Sequence, residues 1–233
     1  MKDKYLIISE KFYSIQGEGI TSGIPSVFIR LAGCNLLCKS GSWVCDSIEV
    51  WKKGTKTEFK NVLSLDEKNK IRQGAHLVFT GGEPMLQQDK IVKYLEWLRE
   101  EDELIPFVEV ETNGTIEPNI GMTMLVKQWN CSPKLPNSGE PYERRVNPIA
   151  IRKLSRNPST MFKFVIKNDS DILDMIIEYF DYFKSEQVVL MPAGENQEQL
   201  EETRKIVVHH CMELGLRYCD RLHIVIWNQK TGV

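Results

Sequence analysis

Strand-like and helix-like segments alternate along most of this chain, and that alternation limits the folds open to it. Apolar residues recur at helical spacing in segments 86–99, 171–183 and 197–214, and Gly215 follows the last as a typical helix C-cap. Strands that alternate with helices form βαβ units and a mostly parallel sheet. The strand-like runs lie at 26–31, 76–80, 107–110, 122–128, 161–166, 188–191 and 223–227.

Polar or glycine-rich residues follow most of these strands. In parallel α/β folds the carboxyl ends of the strands form the active face, so we expect these loops to meet on one side of the sheet. Two segments are less regular. Segment 51–72 is highly charged and predicts a solvated excursion or helix, and the Pro- and Asn-rich segment 136–148 predicts an exposed loop. The loops expected to meet are 34–45, 81–84, 111–114, 132–134 and 192–194.

Composition narrows the class of protein. The 233 residues are 42% hydrophobic with a net charge of −2, which fits one large domain or two small ones. The absence of a basic excess argues against nucleic acid as the main partner. The N-terminal apolar run of four residues is too short for a signal peptide, and no later segment has the composition of a membrane span. We therefore expect a cytoplasmic protein whose six cysteines are reduced.

Cys34, Cys38 and Cys45 fall within twelve residues. Three thiolates on one loop can bind three irons of a [4Fe–4S] cluster and leave the fourth iron open to a small molecule. A structural zinc site is the main alternative, but it needs four ligands, and neither a fourth ligand nor a second cysteine pair is evident nearby. Unrelated thiols are the third possibility, and the cysteines alone leave all three open.

Two further features indicate a binding site. Gly81 and Gly82, which follow an apolar strand, would let a ligand approach the backbone, and Glu83 suits a ligand's ammonium group. The alternative is an ordinary turn with Pro84 at the start of a helix. Arg30 lies in an otherwise apolar strand, and a buried guanidinium must have a partner, which an internal salt bridge could also supply.

Together these motifs resemble the radical S-adenosylmethionine superfamily and, within it, the 7-carboxy-7-deazaguanine synthase family. The resemblance extends from about Phe12 to the C-terminus. The motifs that carry it are FYSIQGEG, FIRLAGCN, a cysteine cluster ending in Cys-Asp-Ser, TGGEP, ETNG, SPK and LHIVIW. One departure is the cluster spacing, because the family usually has Cys-x3-Cys-x2-Cys, whereas six residues separate Cys38 from Cys45 here.

The resemblance implies a [4Fe–4S] cluster that binds S-adenosylmethionine and cleaves it reductively to a 5′-deoxyadenosyl radical. That radical would abstract hydrogen from 6-carboxy-5,6,7,8-tetrahydropterin. The pterin ring would then contract with loss of ammonia to give 7-carboxy-7-deazaguanine, a step toward queuosine and related deazapurines. The cofactor would be regenerated, so the enzyme would be a carbon–nitrogen lyase that uses it as a catalyst. An electron donor such as flavodoxin and a homodimer are also implied.

The resemblance also assigns residues. Ser47, which with Asp46 could instead be a helix N-cap, is implied to ligate Mg²⁺. The lengthened cysteine loop is expected to keep its cluster ligands Cys34, Cys38 and Cys45. The implied cofactor contacts are Gly81, Gly82, Glu83, Glu111, Asn113, Ser132, Pro133, Lys134, Met191 and Pro192. The implied substrate contacts are Ile15, Gln16, Gly17, Glu18, Arg30, Thr80, His223 and Val233.

The resulting prediction is an α/β fold in one domain, residues 1–233. We expect a partial or distorted TIM-like (β/α) barrel of about six parallel strands, closed by an N-terminal substrate segment and a C-terminal tail. Two rival functions remain at this point. One is an activase of the same superfamily that places a glycyl radical on a partner protein, which Gln16–Gly19 and Arg30 argue against. The other is a non-catalytic zinc-binding module.

Overall fold

The computed structural model describes residues 4–40, 43–45, 48–228, 230 and 232. In this part of the chain the strands are β1 (Tyr5–Ile15), β2 (Pro25–Leu31), β3 (Lys39–Ser40), β4 (Trp43–Val44), β5 (Thr55–Glu58), β6 (His76–Gly81), β7 (Val108–Thr112), β8 (Gln128–Cys131), β9 (Thr160–Ile166), β10 (Val188–Pro192) and β11 (Arg217–Tyr218). The helices are α1 (Ile48–Trp51), α2 (Phe59–Val62), α3 (Leu65–Arg72), α4 (Gln88–Glu101), α5 (Ile120–Leu125), α6 (Tyr142–Arg145), α7 (Pro148–Ser155), α8 (Asp169–Tyr179), α9 (Gln197–Leu214) and α10 (Leu222–Trp227).

Nine of these strands form one sheet in the order β11-β10-β9-β8-β7-β6-β2-β1-β5. Every neighbouring pair from β2 to β11 is parallel, whereas β1 runs antiparallel to both β2 and β5. The predicted parallel α/β sheet is therefore confirmed, with six parallel strands of four or more residues and the two-residue β11. The predicted barrel is not confirmed. Among the described residues the sheet is open, because β1 covers the outer side of β2 and leaves β5 and β11 as separate edges.

The two faces of the sheet differ in composition. In β9 the side chains of Phe162, Phe164 and Ile166 are buried in the main core, whose other members come from the helices as well as the strands. The alternate residues Lys163 and Val165 line a cavity on the opposite face. Side chains alternate between the faces of a strand, so one face of the sheet packs against helices while the other carries the candidate site.

Two predicted strands differ from the observed elements. Segment 223–227 lies within helix α10, in which only Ile224 is fully buried. A five-residue apolar run does not distinguish strand from helix by its periodicity, and here the surrounding structure decides. Segment 122–128 is also not a strand, since its first residues end helix α5 and β8 begins at Gln128. Strand β1 was not predicted, because half-exposed residues interrupt its apolar pattern.

The long helices agree better with the sequence pattern. Helix α9 spans the predicted range, and Gly215 follows it in the left-handed conformation with φ of 64°. Helix α8 begins after the N-cap Asn168 and ends at Tyr179, where a 3-10 turn replaces the predicted last residues. No helix in the described ranges is both long enough and apolar enough to cross a membrane.

Both segments expected to be irregular contribute to packing. Segment 51–72 supplies β5, α2 and α3, and Phe59 and Val62 of α2 are buried. Segment 136–148 contains helix α6, and Arg145 at its end is 4% exposed. The Arg145 guanidinium pairs with both carboxylate oxygens of Glu178, and it donates to the backbone oxygen of Lys134 at 3.0 Å. The predicted exposed loop is thus anchored beside the candidate site.

Candidate active site

A cavity of about 900 Å³ lies beside the carboxyl ends of the parallel strands. Its size falls within the usual range for small-molecule and cofactor sites. The cysteine loop, the Gly81-Gly82 turn and the loop after β1 all contribute to it, as the loop placement predicted. The sequence-predicted residues that line it are Ile15, Gln16, Gly17, Glu18, Arg30, Cys34, Cys38, Cys45, Thr80, Gly81, Gly82, Glu111, Asn113, Ser132, Lys134 and His223.

Six other predicted residues are not among the described lining residues. Glu83, Pro133, Met191 and Pro192 are buried in the surrounding structure. Ser47 and Val233 lie outside the described residues, as does Asp46.

The two described ends of the lengthened cysteine loop pair with each other. Strands β3 and β4 pair antiparallel, with Lys39 opposite Val44, and the backbone N–H of Cys45 donates to the Cys38 carbonyl at 3.0 Å. This pairing holds the ends of the six-residue gap together. The six-residue gap leaves Cys38 and Cys45 adjacent at the cavity, where Cys34 joins them.

The three cysteines are not joined in disulfides, and Cys38 is buried while Cys34 and Cys45 are partly buried. Burial raises the pKa of Cys34 to about 11, and the Glu83 carboxylate and the neighbouring thiols act in the same direction. Burial likewise raises the pKa of Cys38 to about 11, although Lys134 opposes it. Such thiols ionise when a bound cation supplies compensating positive charge, as iron does.

The three cysteines supply donors of the kind that a [4Fe–4S] cluster uses, in which each thiolate binds its own iron. Among residues 4–40, 43–45, 48–228, 230 and 232, no three Cys, His, Asp or Glu side chains are placed to hold one metal ion. Bound at this wall of the cavity, three thiolates would leave one iron of such a cluster open.

The Gly81-Gly82 turn packs directly against the cysteine loop. A Cβ on Gly82 would lie 2.3 Å from the Gly33 carbonyl oxygen and 2.6 Å from the Cβ of Cys34. The backbone N–H of Glu83 donates to the same Gly33 carbonyl at 2.9 Å. Glycine at position 82 is thus required by the close approach of two backbone segments, and the turn fixes where Cys34 lies.

Glu83 is fully buried and its carboxylate is engaged by the protein itself. It accepts hydrogen bonds from the backbone N–H of Asn113 at 2.7 Å and of Met85 at 2.9 Å, and from the Thr112 hydroxyl at 2.8 Å. Burial raises its pKa to about 7, and the hydrogen bonds limit that rise. In this structure Glu83 joins the Gly81-Gly82 turn to the loop after β7.

Arg30 has both an internal partner and access to the cavity. Its Nε donates to the Glu10 carboxylate at 3.0 Å, which is the internal salt bridge considered from the sequence. Its guanidinium carbon lies 5.8 Å from the centre of the Phe12 ring, which stacks on Phe28. Arg30, Phe12 and Phe28 all line the cavity, so an aromatic wall with a cation beside it faces the ligand space.

A buried ion-pair network forms another part of the lining, and its central residue was not predicted. Lys163 is 1% exposed, and its Nζ lies 2.7 Å from Glu111 Oε2 and 2.9 Å from Glu18 Oε2. Arg221 Nε also binds Glu18, at 3.1 Å. Burial acts to raise the pKa of Glu18, but Lys163, Arg221 and His223 outweigh it and hold the pKa well below its usual value.

Amide side chains extend this network beneath the cavity. Gln16 Nε2 donates to Glu111 at 3.1 Å and to Glu109 at 3.3 Å. Asn130 Nδ2 donates to the same two carboxylates at 3.0 and 2.9 Å. Thr21 donates its hydroxyl to Glu109 at 2.9 Å. These contacts fix the loop after β1 onto strands β7 and β8.

The C-terminal helix closes on the same loop. The backbone N–H of Leu222 donates to the Gly17 carbonyl at 2.9 Å. A Cβ on Gly17 would lie 2.3 Å from His223 Nδ1, so only glycine permits this contact. His223 Nε2 is 3.9 Å from Glu18 Oε1. Gly17, Glu18 and His223 are thereby brought together although they come from opposite ends of the chain.

One missed residue carried a sequence signal. Lys163 is a single charge within an otherwise apolar strand, the same pattern that singled out Arg30. Arg221 and Trp51 lie at helix ends and Thr203 lies within α9, and polar or aromatic residues are common at such positions, so none of the three carried a signal. Their place in the cavity follows from the tertiary fold.

The fold and the cysteine-lined cavity define a class of protein: an iron–sulfur protein built on a mostly parallel α/β sheet. A family model described as a 4Fe-4S single cluster domain matches residues 15–130. The solved structure of QueE from Escherichia coli has the same fold, with a TM-score of 0.67, 23% identity, and coverage of 94% of this chain and 95% of that one.

Sequence relatives define the family more narrowly. A 7-carboxy-7-deazaguanine synthase from Halobacterium salinarum is 34% identical, covering 96% of this chain and 91% of its own length. The enzyme of that name from Rhodopirellula baltica is 32% identical, and the match covers 97% of this chain and 88% of the relative. The one from Clostridium acetobutylicum is 34% identical, and the match covers 97% of this chain and 98% of the relative. The chain belongs to the 7-carboxy-7-deazaguanine synthase family.

Proposed function

We propose that this protein converts 6-carboxy-5,6,7,8-tetrahydropterin to 7-carboxy-7-deazaguanine with loss of ammonia, as a radical S-adenosylmethionine enzyme of the carbon–nitrogen lyase type. The observation that carries the proposal is the shared cavity. The thiols of Cys34, Cys38 and Cys45 open into the same space as Arg30 and the buried Glu18–Lys163–Glu111 network. Membership of the family supports the same reaction.

The cysteine side of the cavity would hold the cofactors. Cys34, Cys38 and Cys45 would bind a [4Fe–4S] cluster, which with S-adenosylmethionine supplies the organic radical that removes hydrogen from the substrate. The adjoining wall contains Asn113, Ser132 and Lys134. Lys134 Nζ donates to the Ser132 hydroxyl at 3.3 Å, so a cation and a hydroxyl lie together where a cofactor carboxylate could bind.

The opposite side suits a carboxylated heterocycle. Arg30 offers a planar guanidinium, which pairs well with a carboxylate, and the Phe12–Phe28 stack offers an apolar surface beside it. Glu18 offers carboxylate oxygens, which accept hydrogen bonds from ring and amino N–H groups. Glu111, which the resemblance assigned to the cofactor, shares Lys163 with Glu18 and is proposed here to face the substrate as well. The carboxylate and the N–H groups of the substrate thus each have a complementary group on the protein.

The two rival functions fit the residues of this cavity less well. A glycyl-radical activase needs a surface for a partner protein, whereas the polar groups here lie within a cavity beneath helix α10. A zinc-binding module does not require the ion-pair network on the other side of that cavity. The small-molecule reaction uses both halves of the site.

Four further features are part of the proposal and rest on family membership. The enzyme would use Mg²⁺ held in part by Ser47, take electrons from a donor such as flavodoxin, act as a homodimer and work in the cytoplasm. Val233 would complete the substrate site.

Ser47→Ala should raise the Mg²⁺ concentration needed for turnover without changing iron content, and an unchanged Mg²⁺ dependence would exclude the ligand role.

The experiment that tests the function is an anaerobic assay of the reconstituted protein. The mixture contains 6-carboxytetrahydropterin, S-adenosylmethionine, Mg²⁺ and a reductant, and mass spectrometry detects the product. The proposal expects 7-carboxy-7-deazaguanine only when all components are present. A protein with a full cluster that cleaves S-adenosylmethionine but leaves the pterin unchanged would exclude this reaction and favour a different substrate.

A further inference from the structure

Lys163 holds together two carboxylates that come from separate parts of the chain. Glu18 lies in the loop after β1, and Glu111 lies at the end of β7, while Lys163 is in the middle of β9. The Nζ–oxygen distances of 2.9 and 2.7 Å are those of charge-assisted hydrogen bonds. Lys163 lines the cavity together with both carboxylates, but it is only 1% exposed.

The two carboxylates depend on this lysine to different degrees. Glu18 has a second cation, since Arg221 Nε lies 3.1 Å from Oε1, and His223 Nε2 is 3.9 Å from the same oxygen. Glu111 also accepts hydrogen bonds from the neutral amides of Gln16 and Asn130. Among the described residues, Lys163 is the cation that binds Glu111.

Other nearby groups add negative charge or none. Glu109 is on the same strand as Glu111 and shares the amides of Gln16 and Asn130 with it. Burial raises the pKa of Glu111, Lys163 opposes that rise, and Glu18 and Glu109 add to it. The thiol of Cys219 lies against the Gly19 backbone, whereas Cys131 is buried in the core, and burial raises the pKa of both. Without Lys163, burial and like charge would both favour a protonated Glu111.

We propose that Lys163 is a positioning residue for the substrate, because it holds the Glu18 and Glu111 side chains as a fixed pair of hydrogen-bond acceptors for the N–H edge of a nitrogen heterocycle. This role rests on the proposed function, in which that heterocycle is a pterin. An ionised carboxylate can accept hydrogen bonds with both of its oxygens, whereas the protonated form turns one of them into a donor. Lys163 therefore acts on the substrate through the two glutamates and does not itself need to touch it.

A purely structural lysine makes a different prediction. A buried lysine that only joins β9 to its neighbours would lower stability when replaced, and the loss of ligand affinity would be the same at every pH. A lysine that keeps Glu111 ionised makes affinity depend on pH once it is removed. The pH profile of substrate binding separates the two roles.

The test compares Lys163→Met and Lys163→Arg with the parent in anaerobic titrations of the cluster-loaded protein. The probe is 6-carboxytetrahydropterin, between pH 6 and 9. The parent should bind with little change over this range. Lys163→Met should bind about tenfold more weakly at neutral pH, as expected for losing a hydrogen bond to a charged group, and should regain affinity as rising pH ionises Glu111. Lys163→Arg keeps the charge and should retain the flat profile.

A matched control is available on the surface. Lys153 Nζ lies 2.7 Å from Glu117 in an exposed ion pair away from the cavity, so Lys153→Met should bind like the parent. Iron content and S-adenosylmethionine binding should be unchanged in all variants. If Lys163→Met does not retain its cluster, Lys163→Gln, which is also neutral, replaces it in the comparison.

Three results would overturn the inference. Parent-like affinity in Lys163→Met would show that the carboxylates need no support. An affinity loss that is equal at all pH values, or failure of both neutral variants to fold, would assign Lys163 a structural role only. If the parent itself does not bind the pterin, the proposed function fails and this inference fails with it.

Discussion

Charged side chains in the interior of this protein each have a partner on another element. Arg30 of β2 pairs with Glu10 of β1, and Lys163 of β9 pairs with Glu111 of β7. Glu83 is instead surrounded by N–H and O–H donors. Burying a charge is costly without such partners, so these contacts fix the relative positions of the loops that they join.

Glu83 should make the stability of the cluster-free protein depend on pH. Its pKa in the folded protein is about 7, above the value of about 4.3 for an unfolded glutamate. The unfolded state therefore releases this proton first, and the free energy of unfolding should fall as pH rises from about 4.3 toward 7. Denaturant titrations of Glu83→Gln should lack this part of the decrease. An identical pH profile in parent and variant would contradict the buried, proton-retaining carboxyl.

Arg30 can be tested against its own salt-bridge partner. If the guanidinium binds the substrate carboxylate, Arg30→Lys should raise KM for the pterin about tenfold, since lysine cannot form two parallel hydrogen bonds. Glu10→Gln removes the internal salt bridge and leaves the arginine in place. It should therefore change KM much less. Equal effects of the two variants in steady-state kinetics would mean that Arg30 serves only the internal pair.

At the scale of elements, the cysteine loop is held by the segment that contains α6. The Glu140 carboxylate, which is 6% exposed, accepts the backbone N–H of Leu37, one residue before Cys38. Arg144 donates to the Asn35 carbonyl at 2.8 Å. These contacts hold the loop in addition to the Gly81-Gly82 turn, which explains why segment 136–148 is not a free loop.

Removing Glu140 should loosen the cluster. Glu140→Ala leaves the Leu37 N–H without its acceptor, a cost of about 1–3 kcal/mol for a buried group. Iron should then be lost faster to a chelator than from the parent, as followed by absorbance. Glu143→Ala, an exposed change in the adjoining helix α6, is the control and should behave like the parent. Equal rates for parent and Glu140→Ala would show that the loop holds its shape alone.

At the scale of the whole molecule, the sequence predicted the parallel sheet and the meeting of its loops because both follow from strand–helix alternation. It did not predict the open edge, since β1 alternates between buried and half-exposed residues and its pairing with β2 is a tertiary event. Helix α10 was missed because Leu222–Trp227 is apolar in either conformation, and its contact with Gly17 depends on the fold. The ion-pair network around Lys163 joins residues more than 50 positions apart and has no local pattern.

The cluster assignment predicts different outcomes for two sets of cysteines. Cys34→Ala, Cys38→Ala and Cys45→Ala should each reduce iron content and the paramagnetic signal of the reduced protein, because each removes the thiolate of one iron. Cys131 is fully buried, and a Cβ on Gly114 would lie 2.7 Å from its sulfur, so its role is packing. Cys131→Ala should keep the cluster. A full cluster in any of the first three variants would contradict the ligand set.

The central claim is that one cavity holds a catalytic radical cofactor on its cysteine side and a pterin on its carboxylate side. The most direct measurement counts product and consumed cofactor in the same anaerobic reaction, using limiting S-adenosylmethionine and excess 6-carboxytetrahydropterin. The account predicts more than one 7-carboxy-7-deazaguanine for each S-adenosylmethionine lost. No product from a cluster-loaded protein, or one cofactor consumed for every product, would contradict it.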